Sequence, residues 1–487
     1  MLLTRAQADT CLGSACGHVP VPVRRASAAR LLWLNERAAA DDPEFARLGR
    51  EAGRYGEHLL AQCAWQVAEP GEAADTIAHA DRYGGSGIGH NGGSGRALNL
   101  HGYNIKGVGR TPLVSALTGR SHAAGGAYLE EAVRETLFAE IVAQGFPHAA
   151  VPTLALIDLG QVQDWHTDWS PRRERRVLLV RPAFLRPAHF ERAVGFVAHD
   201  GLGARGDSER VAAMFETLGA ENLPGLFERL WLRWAEQLAH GFVFQLSHGN
   251  NTSSNIALDG RLVDFGAATA LPSWARTAST RWHQGVHEHF GDLASVIRSL
   301  GHHLGRHVDP ALGAAEAIEA SVRRAGRHYE HALCRALLRR VGLDDSLHDP
   351  AAGQRLWVLL RRALAHFDAE CLDMLEHTPA PRRAMAWQGF WSSTGASHWQ
   401  ELRTELAAHR APHQPPPAMP DENAWRSLCF PELKRALFAA LDASERSGPA
   451  PTQAAVTAVI DNHVALGLRG LKPHPAAAPA ADPVPAP

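Results

Sequence analysis

The feature that most constrains this chain is a glycine-rich segment over residues 83–109, YGGSGIGHNGGSGRALNLHGYNIKGVG, which contains one lysine. The only lysines in the chain are Lys106, Lys434 and Lys472, and every other basic residue is arginine. Lysine carries a compact ammonium on a flexible stem, which the guanidinium of arginine does not reproduce. A lysine inside a glycine-rich segment of such an arginine-rich chain therefore indicates a specific role for Lys106.

Short strand patterns lie in the second half of this segment. Residues 97–100 and 103–106 predict two strands joined by a two-residue turn. Because side chains alternate along a strand, Asn104 and Lys106 are expected on the same face. The sequence thus predicts a glycine-rich loop followed by a hairpin whose second strand presents the lysine.

Two kinds of nucleotide site use such glycines. Gly87, Gly89 and Gly92 fit GxGxxG, but the dinucleotide fold needs a hydrophobic strand before this motif and a helix after it, and both are missing. A plain flexible loop is a second interpretation. A loop that covers phosphates ahead of a lysine strand, as in protein kinases, fits the order of elements best.

Composition excludes several classes. The chain has 49 basic and 51 acidic residues among its 487, so there is no overall charge for nucleic-acid binding. We find no apolar run of about 18 residues and no secretory signal pattern, so we expect no membrane span and a cytoplasmic protein. The six cysteines form no CxxC pair and are expected as free thiols.

The helical and extended patterns predict an α+β fold with helical extensions at both ends, and the order of the glycine-rich loop and the lysine strand is that of the two-lobed protein-kinase type. The clearest helix covers residues 129–144, where apolar residues recur every four positions before Gly145 and Pro147. The expected organisation is an N-terminal helical extension (1–70), a small lobe (71–190), a helical large lobe (191–410), a proline-rich linker (411–420), a C-terminal helical segment (421–472) and a disordered tail (473–487).

A polar constellation further along the chain has the spacing of a metal loop. His248 is followed at a distance of seven residues by Asn255, and Asp264-Phe265-Gly266 comes after a hairpin signal. In kinase-like enzymes the equivalent asparagine and aspartate bind Mg²⁺, which prefers hard oxygen ligands. A polar loop followed by a β-turn is the plainer interpretation. The position of the usual kinase base holds Asn250, which cannot accept a proton.

Several blocks in one order resemble the SelO family of kinase-fold proteins, known as protein adenylyltransferases and once called pseudokinases. Five segments are similar, in this order, to the family's nucleotide, lysine, glutamate, arginine and metal segments: GGSGRALNL, NIKGVGRTPLV, YLEEAVRETLFAE, FLRPAHFE and HGNNTSSNIALDGRLVDFG. The resemblance extends from Tyr83 through the Asp-Phe-Gly segment.

The resemblance implies ATP as substrate, Mg²⁺ or Mn²⁺ as cofactor, and transfer of AMP to a Ser, Thr or Tyr hydroxyl of a protein or peptide. The implied nucleotide-binding residues are Gly93, Gly95, Arg96, Lys106, Arg181, Arg186 and Asp264; the implied metal ligands are Asn255 and Asp264; and the implied catalytic positions are Lys106, Glu135 and Ser254. Glu140 is the alternative to Glu135 as partner of Lys106.

One departure keeps other functions open. The family has an aspartate, proposed as the base, where this chain has Ser254. A nucleotide-binding pseudoenzyme, or a partner in microcin-like peptide maturation from a divergent branch resembling the MchC-type proteins, is therefore an alternative. A small-molecule kinase and an ATP-dependent enzyme that activates a carboxylate are two more.

Overall fold

The computed structural model describes most of the chain. The described residues are 18–119, 123–165, 172–198, 207–271, 276–279, 282–284, 289–340, 343, 355–356, 358–359, 371–373, 397–409, 425–446 and 451–471. They form a mixed structure of one large antiparallel sheet and many helices, which agrees with the predicted α+β class. The predicted linker and tail lie outside the described residues.

The described residues build one nine-stranded sheet in which every pairing is antiparallel. Its order is β2-β8-β9-β6-β5-β4-β1-β3, with β7 also paired to β9. Its strands are β1 (His18–Arg25), β2 (Arg30–Leu34), β3 (Trp65–Val67), β4 (Thr76–Asp81), β5 (Ala97–Leu100), β6 (Tyr103–Lys106), β7 (Ala127–Tyr128), β8 (Ala155–Trp165) and β9 (Arg172–Pro182). Five short strands lie outside it: β10 (Leu246–Ser247), β11 (Thr269–Ala270), β12 (Arg276–Ser279), β13 (Trp282–Gln284) and β14 (Cys371–Asp373).

The described helices fall before, within and after the sheet. They are α1 (Glu36–Ala39), α2 (Pro43–Arg47), α3 (Ala52–Cys63), α4 (Leu129–Gly145), α5 (Asp207–Thr217), α6 (Leu223–Val243), α7 (His289–His307), α8 (Ala315–Arg340), α9 (Ser397–Ala408), α10 (Phe430–Arg446) and α11 (Gln453–Gly470). No helix in the described part of the chain combines the length and apolar character that crossing a bilayer needs.

Both faces of the sheet are buried, and strand β9 shows why. Its apolar residues alternate between two cores: Val177 and Leu179 pack with α4, whereas Leu178 and Val180 pack with α3. A strand buried on both faces reads as a continuous apolar run, which is how residues 177–180 appear in the sequence.

Two predicted elements are confirmed. Strands β5 and β6 form the expected hairpin, and its turn residues, His101 and Gly102, both have positive φ angles, as a two-residue hairpin turn of this kind requires. Helix α4 covers the predicted residues 129–144 and extends through Gly145. The structure therefore presents Lys106 on the second hairpin strand, facing α4.

The prediction of a helical N-terminal extension over 1–70 was wrong. In its described part, β1, β2 and β3 belong to the same sheet as β4–β9, so no domain boundary falls at residue 70. Pro20 and Pro22 obscured β1, because proline lacks the N–H that a central strand needs. Both prolines pair only with β4, because β3 pairs only with residues 23–25 of β1. The edge of β1 on which the prolines lack N–H groups therefore has no partner strand that would need those donors.

Residues 207–243 form two helices, α5 and α6, rather than one continuous helix. The chain breaks at Gly219, which has a φ angle of +73°, and α6 restarts with Pro224 in its first turn.

Helices α10 and α11 lie within residues 421–472, where a C-terminal helical segment is predicted, and they pack on α4. A side chain at Gly467 would collide with Ile141 of α4, and Gly145 lies against Leu471 in the same way. Nearly all residues of α4 are consequently buried. The helix that faces the lysine strand is held between the sheet and a segment from far along the chain.

A carboxylate between two histidines ties α6 to its neighbours. Glu236 receives hydrogen bonds from Nε2 of His148 at 2.6 Å and Nε2 of His328 on α8 at 2.8 Å. Burial alone would raise the pKa of Glu236, but the hydrogen bonds from the two histidines outweigh it and hold that pKa well below its usual range.

Glu236→Gln should lower the free energy of unfolding by about 1–2 kcal/mol at neutral pH, because two charge-assisted hydrogen bonds are lost. A carboxyl whose pKa is lowered by folding contributes stability above its ordinary pKa and loses that contribution as the pH falls. Wild type should thus lose more stability than the variant from about pH 6 to about pH 3 in denaturant titrations. The control is Glu228→Gln, on the same helix, where Glu228 forms a more exposed pair with Arg324; it should change the free energy of unfolding by less than about 0.5 kcal/mol. Parallel pH curves for wild type and Glu236→Gln would contradict the stabilising role of Glu236.

Candidate active site

A cleft of about 490 Å³ lies beneath the glycine-rich loop and beside the polar loop that follows β10. Nine of the ten residues predicted for the site line it: Gly93, Gly95, Arg96, Lys106, Arg181, Arg186, Ser254, Asn255 and Asp264. The tenth, Glu135, lies on α4 behind the lysine. Residues separated by more than 170 positions in sequence thus surround one cavity.

Lys106 is the centre of the site. Its ammonium donates to Glu135 at 2.7 Å and to Asp264 at 2.9 Å, and its side chain is almost completely buried. Such a buried cation requires anionic partners, because the cost of desolvating it is otherwise uncompensated. The strand, the helix and the Asp-Phe-Gly segment therefore meet at a single ammonium.

Strand register brings Arg181 to the same place. Arg181 pairs with Asn104 across β6 and β9, two residue pairs away from Lys106 and Leu179, so its side chain shares the lysine's face. Its guanidinium forms an ion pair with Glu135. Glu135 is thus held between two cations, one from each of two neighbouring strands.

Glu140, the alternative partner for the lysine, serves another purpose. Its carboxylate accepts from Asn35 at 2.6 Å and from Arg37 at 2.9 Å, which binds the N-terminal region to α4. Of the two glutamates, Glu135 is the one that contacts Lys106.

Glu131 is a site residue that the sequence analysis missed. Both of its carboxylate oxygens accept from Arg96, at 2.7 and 3.2 Å, and Arg96 also donates to the carbonyl of Gly126. Glu131 lies four positions before Glu135, hence on the same helix face, and that spacing was available in the sequence. Arg96 therefore joins the end of the glycine-rich loop to the start of α4.

The charges in the site perturb one another strongly. Burial, together with the nearby Arg96, lowers the pKa of Lys106 to about 8. Burial opposes the ionisation of Glu131, but Arg96 and Lys106 outweigh it and lower its pKa to about 2. Lys106 and Arg96 likewise overcome burial at Asp264 and hold its pKa well below the usual range. Perturbed groups concentrated in a cleft are characteristic of functional sites.

The polar loop and the Asp-Phe-Gly segment place an amide and a carboxylate on the wall of the cleft. The side chain of Asn255 donates to the carbonyl of Asn250 at 3.0 Å, and Asn255 and Asp264 both line the cleft. Asp264 has a φ angle of +66°, a costly left-handed conformation for a non-glycine residue that is concentrated at functional sites. No cluster of three or more His, Cys, Asp or Glu residues is placed to hold a metal in the described ranges.

Ser254 occupies the position where the family has its aspartate. Its hydroxyl lies 2.8 Å from that of Thr252 and 3.3 Å from Oδ1 of Asn255. Among the described residues that line the cleft, Asp264 is the only carboxylate. The described lining of the cleft therefore offers no carboxylate other than Asp264 as a proton acceptor.

Together, the α+β fold and this cleft define a protein with a glycine-covered, cation-rich pocket that suits a polyphosphate. The family model described as "Protein adenylyltransferase SelO" matches residues 83–379. The chain belongs to the SelO family.

One curated relative is similar over part of the chain. It is "Protein nucleotidyltransferase YdiU" of Azoarcus sp. (strain BH72), 27% identical over 262 residues, which cover 48% of this chain and 46% of the relative. The chain thus spans about half the length of the curated relative it matches.

Glu135→Gln and Glu140→Gln test the assignment of the two glutamates. Glu135→Gln leaves two buried cations, Lys106 and Arg181, without their shared anion and should lower the free energy of unfolding by about 3 kcal/mol. Glu140→Gln leaves Arg37, which is 45% exposed and can be hydrated, so it should lower that free energy by only about 1 kcal/mol. Denaturant titration without nucleotide measures both, and equal losses would contradict the central place of Glu135.

Proposed function

We propose that this protein transfers AMP from ATP to a Ser, Thr or Tyr hydroxyl of a protein or peptide. The observation that supports it most strongly is that Lys106, Arg181, Arg186 and Asp264 surround one cleft beneath the glycine-rich loop, inside the region that matches the SelO family. The proposal includes a kinase-like two-lobed arrangement, in which the nine-stranded sheet is the small lobe and α6–α8 belong to the large lobe.

The arginines decide which phosphate the acceptor meets. Guanidinium groups bind phosphate through two parallel hydrogen bonds and so fix its orientation. With Arg181 and Arg186 holding the terminal phosphate in the buried part of the cleft, the α-phosphate faces outward. Gly93, Gly95 and Arg96 contact the nucleotide, and Lys106 neutralises the phosphate charge.

The donor set at the polar loop fits Mg²⁺ or Mn²⁺. Asn255 contributes an amide oxygen and Asp264 a carboxylate that is 39% exposed toward the cleft, and both are the hard oxygen donors that these ions prefer. When bound, the ion neutralises charge on the phosphates. The remaining contribution comes from the protein's own cations, which orient the substrate and stabilise the leaving pyrophosphate.

The reaction forms one bond and breaks one bond. The acceptor oxygen bonds to the α-phosphorus, the bond from that phosphorus to the bridging oxygen breaks, and pyrophosphate leaves with its electron pair. Because Ser254 cannot act as a base, the acceptor proton passes to solvent or to a phosphate oxygen. Loss of general-base assistance costs about 10²–10⁴-fold, which leaves positioning and electrostatic stabilisation as the main sources of rate.

That missing carboxylate supports a second candidate, a nucleotide-binding protein that acts as a partner in peptide maturation and releases no AMP label. Ser254 and Asn250 replace both groups that could serve as the base in related sites, yet Lys106 and Asp264 are present. The two candidates differ in whether AMP becomes covalently attached.

ATP labelled on either the α- or the γ-phosphate separates the candidates. We expect covalent label on protein or peptide from α-labelled ATP alone, and Asp264→Ala should abolish it while the purified variant keeps its circular dichroism spectrum. Label from γ-labelled ATP alone would establish a kinase instead. Silence from both, with ATP still bound by calorimetry, would favour the maturation partner.

Ser254→Asp tests the missing base. A carboxylate at this position should raise the rate of AMP transfer by about tenfold or more, because it accepts the acceptor's proton. Ser254→Asn is the matched control, because asparagine has nearly the same size as aspartate but carries no charge. This variant should give no increase in the rate of AMP transfer. Equal rates in the two variants would show that this branch does not gain from a base here.

A further inference from the structure

Arg186 is confined by two aromatic rings and a backbone carbonyl. Its guanidinium lies between the rings of Tyr83 and Phe184, at 4.5 Å from each ring centre. One Nη donates to the carbonyl oxygen of Ser254 at 2.6 Å. Nε is buried and has no hydrogen-bond partner among the described residues, although the side chain lines the cleft. The side chain is 8% exposed, and the exposed part that lines the cleft can donate to a ligand oxygen.

Two fully buried residues stand behind this arginine. Nδ1 of His189 lies 3.0 Å from the backbone nitrogen of Arg186 and 3.1 Å from its carbonyl oxygen, so the ring contacts the backbone of Arg186. Nε2 of His189 donates to Oδ1 of Asp81 at 2.6 Å. The other oxygen of Asp81 lies 3.7 Å from Nη2 of Arg186. The three residues therefore form a closed arrangement in which Asp81 and His189 hold both the backbone and the side chain of Arg186.

Asp81 also holds the glycine-rich loop. It is the last residue of β4, and its carbonyl accepts from the N–H of Ser94 at 2.8 Å. A side chain at Gly93 would collide with that same carbonyl. Asp81 therefore contacts the glycine-rich loop through its backbone and faces Arg186 with its carboxylate.

We propose that Asp81 and His189 are positioning residues for the substrate: they fix the Arg186 guanidinium at the wall of the cleft, where it meets the terminal phosphates of a nucleoside triphosphate. This inference rests on the proposed function, because it takes the ligand of the cleft to be that nucleotide. Its consequence is selectivity, since a nucleotide without the terminal phosphates gains nothing from an oriented Arg186.

Asp81→Asn and two His189 variants test the proposal. In Asp81→Asn, the remaining side-chain oxygen can still accept from His189, but the amide nitrogen then presents a donor to Arg186. The affinity for ATP should therefore fall roughly fivefold or more, while the affinity for AMP changes by less than about twofold. His189→Gln can still donate to Asp81 from the position of Nε2, whereas His189→Asn cannot, so Gln should retain more ATP affinity than Asn. Calorimetry with ATP and with AMP measures each constant.

Asp158→Asn is the matched control. Asp158 is equally buried and pairs with Arg30 at 3.0 Å and Arg175 at 3.2 Å, but it does not line the cleft. It should leave the ratio of ATP to AMP affinity unchanged. If Asp81→Asn and Asp158→Asn change that ratio equally, the role of Asp81 is merely structural and the proposal is overturned.

A double-mutant cycle with Arg186→Ala completes the test. If Asp81 acts through the arginine, Asp81→Asn should have no further effect on ATP affinity in the Arg186→Ala background; additive losses would overturn the proposal. ATP binding without AMP transfer by wild type would refute the proposed function but leave these comparisons decisive. A wild-type protein that does not bind ATP would refute both.

Discussion

The buried ammonium of Lys106 is the interaction on which the site depends. Its two carboxylates come from α4 and from the Asp-Phe-Gly segment, and its strand is paired to β9, which brings Arg181. A nearly dry interior tolerates such charges only when each has a partner of opposite sign. The need to pair each ion therefore fixes the relative positions of elements that are remote in sequence.

Three cations of the cleft, Arg96, Lys106 and Arg181, are paired with the protein's own carboxylates. Arg96 is satisfied by Glu131, and Arg181 and Lys106 share Glu135. A highly charged substrate must therefore compete with the protein's own carboxylates for these cations. The arrangement favours a ligand that brings several negative charges at once, because one weak anion could not replace those partners.

Local patterns predicted the parts of the site that local forces build. The β5–β6 hairpin and helix α4 follow from the alternation of apolar residues and from turn residues, and both were found. Strand β1 was missed because its prolines oppose strand pairing in general, and only the short length of β3 makes them acceptable.

Long-range packing decided the rest. The choice between Glu135 and Glu140 could not be made from sequence, because both are buried and depend on which distant residues reach α4. Glu131 was within reach of a spacing argument, whereas the contact of Asp81 with His189 joins positions 108 residues apart. No periodicity carries that information.

The close fit of α11 against α4 has a consequence for synthesis. Gly467 and Leu471 cover one side of α4, and they leave the ribosome long after the sheet, the glycine-rich loop and the metal loop. Until then the helix that carries Glu135 has an uncovered apolar side. The order in which the chain emerges thus makes the assembly of the cleft a late event in the folding of the nascent chain. A chain truncated before α11 would have a cleft whose helix α4 lacks its outer support.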